Sequence, residues 1–456
     1  MLWQILTIAR NTFVESVRQP IYFILITLAG IAQVFTTWTA AYSMGMTESG
    51  EVSGDDKMQF DLGMATVFVC GMLLAAFLAT SVISKEIDRK TVLTVVSKPV
   101  ARMTVVLGKY IGVAGAILIA VLTMLLFLQM GIRHKVMSTA ADELDGPVLV
   151  FTTAALLISV AAGTWCNYFY GWSFTQVCTM LLFPMMVVAY IGILLVAKDW
   201  KIQPISTDFK RQIALASFTM ICAQLVLTAV ATAASARLGQ VMTIVVCAGV
   251  FMLGLLSNYF IGSRAIDNDF VAKILSAEPQ LVGMRSLSAP SDAYLVKLEF
   301  DPRIQIPVGA SFYYGPNPSG WQLAVRPFPK FTGDAADQNQ ISDRSKPATL
   351  VVSASNGREL TVTRAGADGS IGGGDIVIRP PQPGDFIFLR PTRIRAGALA
   401  LWSAFPNFQY FWLVDAVSQN QPIPISHVAL VLVYAVCLVG VFLSLAVALF
   451  QTREVG

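Results

Sequence analysis

Apolar residues gather along this chain in runs of twenty or more, and the polar residues gather between them. The runs fall at about 21–42, 62–83, 106–130, 148–170, 173–197, 212–236, 239–262 and 427–450. Each has the ~20 apolar residues that a helix needs to cross a bilayer. Their interiors read as free of Asp, Glu, Lys and Arg. Tyr22, Trp38, Tyr42, Tyr110, Trp165, Trp172, Tyr190 and Tyr259 cluster toward their ends, where interfacial aromatics sit. The pattern predicts a mainly α, polytopic membrane protein of about eight spans.

Two stretches follow other rules. In the first, Leu2, Ile5, Leu6, Ala9, Phe13 and Val17 recur at helical spacing, with Arg10, Asn11, Glu15 and Arg18 between them and Pro20 closing the pattern. This predicts an interfacial amphipathic helix over 1–19 rather than a signal peptide. A cytoplasmic extension of the first span is the alternative. In the second, residues 263–425 are polar and rich in Pro and Gly. A short amphipathic helix is predicted over Asn268–Leu275. Strands are predicted over Tyr294–Phe300, Trp321–Arg326, Thr349–Ser355, Glu359–Thr363, Asp375–Arg379 and Asp385–Leu389. Asn356-Gly357 is a strong hairpin signal. The insert reads as an extracytoplasmic, mainly-β sandwich or barrel of roughly 110 residues.

Composition agrees: 55% of residues are hydrophobic and 13% charged, against roughly a quarter charged in soluble domains. No basic face for nucleic acid appears. The six cysteines, Cys70, Cys166, Cys178, Cys222, Cys247 and Cys437, fall in or beside apolar runs and read as packing residues. His134 and His427 are far apart, so no metal site is expected. Gly366–Asp375 faintly resembles one calcium-binding repeat, but a single copy reads better as a hairpin connection.

Charge sets the topology. The loop at 84–110 carries Lys85, Glu86, Asp88, Arg89, Lys90, Lys98, Arg102 and Lys109, and belongs in the cytoplasm. The first loop, with Glu48, Glu51, Asp55, Asp56 and Asp61, faces outward, and both termini are then cytoplasmic. One loop resists: Lys198, Lys201, Lys210 and Arg211 outnumber Asp199 and Asp208 on the outer side. A re-entrant 173–197 segment would reverse everything after it.

No relay of ionisable residues crosses the membrane, so direct proton coupling is not expected. There is no phosphate-cradling Gly-x-x-x-x-Gly-Lys-Ser/Thr loop and no nucleophile elbow. Energy for uphill transport would have to come through a partner, and the charged loop is the natural contact.

Three segments resemble ABC-2 type transporter permeases, the membrane-spanning subunits of bacterial ABC transporters. The first is Ala9-Arg10-Asn11-Thr12-Phe13 with Glu15-Ser16-Val17-Arg18. The second is the coupling loop: Glu86, Lys90-Thr91, Ser97-Lys98-Pro99-Val100-Ala101-Arg102 and Gly108-Lys109, with Lys90 where the family has Gly and Ala101 where it has Ser. The third is Pro406-Asn407-Phe408-Gln409-Tyr410-Phe411, followed by the closing Phe450–Gly456.

The apolar runs place transmembrane helices 1–7 over 20–262, eight spans in all where the family commonly has six, and the resemblance implies the coupling loop at 84–110. It implies a Pro-containing re-entrant segment at 404–425 ending the insert, and the last helix with its tail over 426–456. It implies a permease subunit of an ATP-driven exporter in the bacterial inner membrane, paired with a second permease subunit, identical or similar, and with an ABC ATP-binding subunit. ATP and Mg would be bound by that partner, and this chain would be no enzyme. The contact with the ATPase would be carried by Glu86, Asp88, Arg89, Lys90, Thr91, Lys98, Pro99 and Arg102, and the re-entrant segment by Pro406, Asn407, Phe408 and Phe411. Membrane lipid, and an envelope protein met by the β domain, complete the expected partners. The alternative is a membrane-anchored interaction or force-relay module that moves no cargo.

Overall fold

The computed structural model describes residues 2–39, 51–82, 101–136, 144–280, 287, 291–318, 320, 323, 331, 333–335, 337–343, 348–366, 379–414, 417 and 423–451. The chain divides into two compact units, Met1–Leu255 with Pro406–Gly456, and Leu256–Phe405.

The first unit is helical: α1 (Leu2–Val17), α2 (Pro20–Thr39), α3 (Glu51–Val82), α4 (Arg102–His134), α5 (Gly146–Tyr170), α6 (Phe174–Leu195), α7 (Arg211–Ser235), α8 (Gln240–Ser257) and, after the second unit, the closing helix Ile425–Gln451. α8 runs on through a π-helical turn, Asn258–Gly262, to Ala265. Among the described residues eight helices are long and apolar enough to cross a membrane, and each overlaps one of the runs read from the sequence. The protein is a multi-pass membrane protein.

Helix α4 lies at the centre of this unit. Val113, Ala116, Ile117, Ala120, Val121 and Met124, all without exposed surface, form one continuous stripe along it, and it packs against α1, α2, α3, α6, α7 and the closing helix. α3, α4 and α7 are the most enclosed spans, and α5, α8 and the closing helix the most exposed. The exposed faces are apolar, as lipid requires. Two polar side chains inside the bundle find backbone partners: the Tyr22 hydroxyl donates to the Ala116 carbonyl at 2.7 Å, and Gln224 Nε2 to the Phe68 carbonyl at 2.9 Å. At the α5–α6 turn, Trp165, Tyr168, Phe169, Tyr170 and Trp172 are exposed, forming an aromatic belt at one end.

α1 has the predicted extent, but its buried stripe is Ala9, Thr12 and Ser16, while Leu2, Trp3 and Leu6 stay exposed. The stripe meets Gly108 and Gly112 of α4. A Cβ on Gly112 would lie 2.5 Å from the Ala9 carbonyl oxygen, and one on Gly108 would lie 2.8 Å from Ile8 Cβ. Small residues four apart let the two backbones close to contact. Leu2, Trp3 and Leu6 are left to lipid, while Val17 joins the bundle core.

The second unit holds β1 (Ile266–Asp267), β2 (Ala272–Pro279), β3 (Ala293–Leu298), β4 (Tyr313–Gly315), β5 (Thr349–Asn356), β6 (Glu359–Ala365), β7 (Phe386–Phe388) and β8 (Arg393–Ile394), then α9 (Ala396–Ala404). The closing helix Ile425–Gln451 is accordingly α10. β1 and β8 pair where the chain enters and leaves the unit. The others form an antiparallel sheet in the order β4-β7-β2-β3-β6-β5. Its two edges meet: Ser311 bridges to Val351 of β5, Phe312 N–H donates to the Leu350 carbonyl at 2.9 Å, and Val352 N–H to the Ala310 carbonyl at 3.0 Å. The segment leading into β4 thus closes the sheet into a small barrel, leaving no free edge there. Phe312, Tyr314, Val296, Leu360, Val362 and Ile387 fill it. Burial pushes the Tyr314 phenol up, and the exposed Arg358 guanidinium, hydrogen-bonded to Asp301, holds that carboxyl below its usual range.

The helix expected over Asn268–Leu275 is corrected. Ala272–Pro279 is a strand, with Ala272 opposite Ile387 and Ala277 opposite Val296. Its alternating neighbours, supplied from distant parts of the chain, decide its conformation. The β5–β6 hairpin stands, joined by Gly357-Arg358 with Gly357 at φ 61°. β4 and the β1–β8 pair were not expected. The strands expected over Trp321–Arg326 and Asp375–Arg379 fall, except for Leu323 and Arg379, outside the described residues, as does the glycine run beyond Gly366.

Candidate functional site

α3 is described to Val82 and α4 from Arg102, so the foot of the 84–110 loop lies among the described residues and its tip does not. Glu86, Asp88, Arg89, Lys90, Thr91, Lys98 and Pro99 lie outside the described residues. Arg102, the first residue of α4, is half-buried and donates through Nη1 to the Gln451 carbonyl at 2.7 Å, at the very end of α10. Lys109, two turns further on, is buried, and its ammonium donates to the Val82 carbonyl at 2.7 Å. Arg237, just beyond α7, donates to the Leu449 carbonyl at 3.1 Å. Each cation therefore meets a carbonyl in the last described turn of a helix, toward the negative end of its dipole.

Apolar contacts complete the foot. Val106 of α4, Ala233 and Ala236 at the end of α7, and Ala446 and Phe450 of α10 form one buried cluster. α1 lies on Gly108 and Gly112. At its end Gln19 bonds the Ser81 hydroxyl of α3, and Arg18 donates to Gln176 of α6 at 2.8 Å. A push on the loop would thus be felt directly by α1, α3, α4, α7 and α10. Sequence reading counted Lys109 with the loop and missed its role. Its place inside the 106–130 run, as a lone cation among apolar residues, was the available signal.

The second predicted group lies elsewhere. Pro406 to Val414 runs among the helices of the first unit. Asn407 caps the 3-10 turn Phe408–Tyr410, accepting from Gln409 N–H at 3.1 Å. Phe408 and Phe411 are buried among Phe68, Phe251 and Tyr434. The Asn407 N–H donates to the Tyr434 hydroxyl at 2.9 Å, and the Phe411 carbonyl accepts from the Thr219 hydroxyl at 2.9 Å. Side chains thus satisfy backbone that no helix or sheet does, as apolar surroundings demand. A Cβ on Gly254 would stand 2.4 Å from the Pro406 carbonyl oxygen, so this approach needs glycine. Phe411 meets Thr219, the ninth residue of α7, and the Ile423 N–H donates to Gln212 in the first turn of the same helix.

The far end of α4 carries a cluster that sequence reading missed. Arg133 lies 3.4 Å from Asp145 and 3.0 Å from Asp208, and it donates to the Val196 carbonyl at 3.0 Å and to the Ile193 carbonyl. Its four partners come from three separate segments, so no local pattern announces it. The contact brings the C-terminal end of α6 to the C-terminal end of α4. Since the start of α6 meets Arg18 at the foot, α6 runs the full length of the bundle. The basic loop after it stands at the end remote from the 84–110 loop, which removes the re-entrant alternative for 173–197.

Between α2, α4, α5 and α6 lies an apolar hollow of about 270 Å³, lined by Phe23, Gly30, Val34, Phe127, Leu156 and Leu182.

Residues 6–265 match the family model described as ABC-2 family transporter protein. No curated protein and no solved structure matches the chain. Taken with the eight apolar helices and the loop foot, the match places this chain in the ABC-2 transporter family, as the permease component of an ABC transporter.

Proposed function

We propose that this permease is worked from the cytoplasm by a separate ATP-binding subunit that docks on the 84–110 loop, and that it exports its cargo. The observation that carries the reading is the foot: two cations in and beside the loop hold the C-terminal carbonyls of α3 and α10, and α1 is packed on the same two turns of α4. Displacing the loop must shift those contacts together. ATP and Mg belong to the partner. A second permease subunit completes the pathway, both termini are cytoplasmic, and 404–425 acts as a re-entrant segment before the last crossing. The apolar hollow favours a nonpolar or amphipathic cargo over a bare ion.

The test is reconstitution with the cognate ATPase. Glu86→Arg with Lys98→Glu inverts the sign at two loop positions, with the net charge kept, and leaves both Arg102 and Gln451 in place. Hydrolysis stimulated by the permease is expected to fall toward the rate of the ATPase alone, with membrane insertion unchanged. Stimulation that survives the swap would remove the docking assignment. Stimulated hydrolysis in the unaltered protein with no cargo moved, across lipid and peptide panels, would favour the force-relay reading, in which the barrel binds an envelope partner.

A further inference from the structure

The end of α4 opposite the loop foot encloses a cavity of about 300 Å³. Arg133 forms its floor with Asp145 and Asp208, and Lys135, Lys198 and Lys210 stand around it. The two carboxylates are both engaged by Arg133. Lys135, Lys198 and Lys210 are exposed and form no ion pair among the described residues. The cavity therefore has a braced floor, in which one guanidinium faces two carboxylates, and a rim of three ammonium groups; its lining carries four cations against two acids, a net positive arrangement that calls for an anion.

Depth narrows the ligand. α4 has 33 residues, about 50 Å at ~1.5 Å per residue, against a hydrocarbon core of ~30 Å. With Lys109 near one edge of that core, the last turn of α4 stands at the level of the lipid headgroups. The segment joining α6 to α7 carries exposed Trp200, Ile202, Ile205 and Phe209 between its lysines, the mix of aromatic, aliphatic and basic residues that seats at a membrane interface.

We propose that this cavity holds the phosphate of an anionic phospholipid from the leaflet remote from the 84–110 loop, with the three lysines around the phosphate and the acyl chains beside Ile202 and Ile205. Lysine ammonium groups bind phosphate as point charges and do not need the bidentate geometry of arginine. The inference goes beyond the transport reading, since it requires neither ATPase nor cargo.

The full-length permease, purified in detergent, is titrated with phosphatidylglycerol or phosphatidylcholine and read by native mass spectrometry. Phosphatidylglycerol should be retained in preference by at least about tenfold. Lys135→Gln with Lys198→Gln and Lys210→Gln should abolish the preference. Lys198→Glu alone, at an exposed position, should lower it severalfold. Lys201→Gln, on the same segment but outside the cavity, should leave it unchanged. Sodium phosphate at matched concentration should not displace the lipid. A preference that survives the triple variant, a loss of equal size in Lys201→Gln, or displacement by free phosphate would each overturn the proposal.

Discussion

The two ends of α4 are held in different ways. At the foot, Lys109 and Arg102 each reach one helix-terminal carbonyl, of Val82 and Gln451, and glycines bring α1 into contact. At the far end a single guanidinium grips two carbonyls of α6 and two carboxylates that precede α5 and α7. The half-buried Arg102 can exchange the Gln451 carbonyl for water at modest cost, whereas Lys109 is buried with its carbonyl. The Arg133 cluster cannot open without leaving Asp145 buried and uncompensated. Under the proposed coupling, the end that carries the charged loop is the one that shifts and the Arg133 end the one that stays.

Arg133→Met should have the largest effect, because it strands a carboxylate at a buried site. The expected loss is about 3–5 kcal/mol, seen as a marked drop in melting temperature and in the fraction of protein recovered folded. A change no larger than that of a surface substitution would mean the far end is not braced as described. Lys109→Met keeps the volume but removes a charge-assisted hydrogen bond, worth about 1.5–3 kcal/mol. Here ATPase stimulation should fall more than melting temperature does. Gly112→Leu forces side-chain volume against the Ala9 carbonyl at a cost of about 1–3 kcal/mol. Labels on Trp3 should then report α1 lifted from α4. Arg102→Gln should be mildest, about 1 kcal/mol or less, with stimulation reduced severalfold and thermal stability nearly unchanged. Equal losses of stability from Lys109→Met and Arg133→Met would erase the distinction between the ends.

The spans were legible because lipid demands uninterrupted apolar runs, and each run declares itself locally. The β5–β6 hairpin was legible through Asn356-Gly357, a local turn signal. Where the partner is distant, the sequence is silent. Ala272–Pro279 is a strand because β3 and β7 flank it, and its own residues suit a short helix equally well. The same limit hid the Arg133 cluster, whose acids lie 12 and 75 residues further along the chain. The residues by which α1 meets protein could not be singled out, for a related reason. In lipid the large apolar residues need not face protein, so Ala9, Thr12 and Ser16 make the contact instead. Of the predicted site, Arg102 and the Pro406 group are placed, at opposite ends of the bundle.

The most direct test is a pair of distances measured by pulsed electron paramagnetic resonance on a cysteine-free background, with the cognate ATPase present, before and after nucleotide is trapped. One pair, Met103 with Gln451, spans the foot; the other, Lys135 with Lys198, spans the braced end. The account predicts that trapping nucleotide shifts the first distance distribution and leaves the second in place. A foot that does not move, or a far end that moves more than the foot, would contradict it.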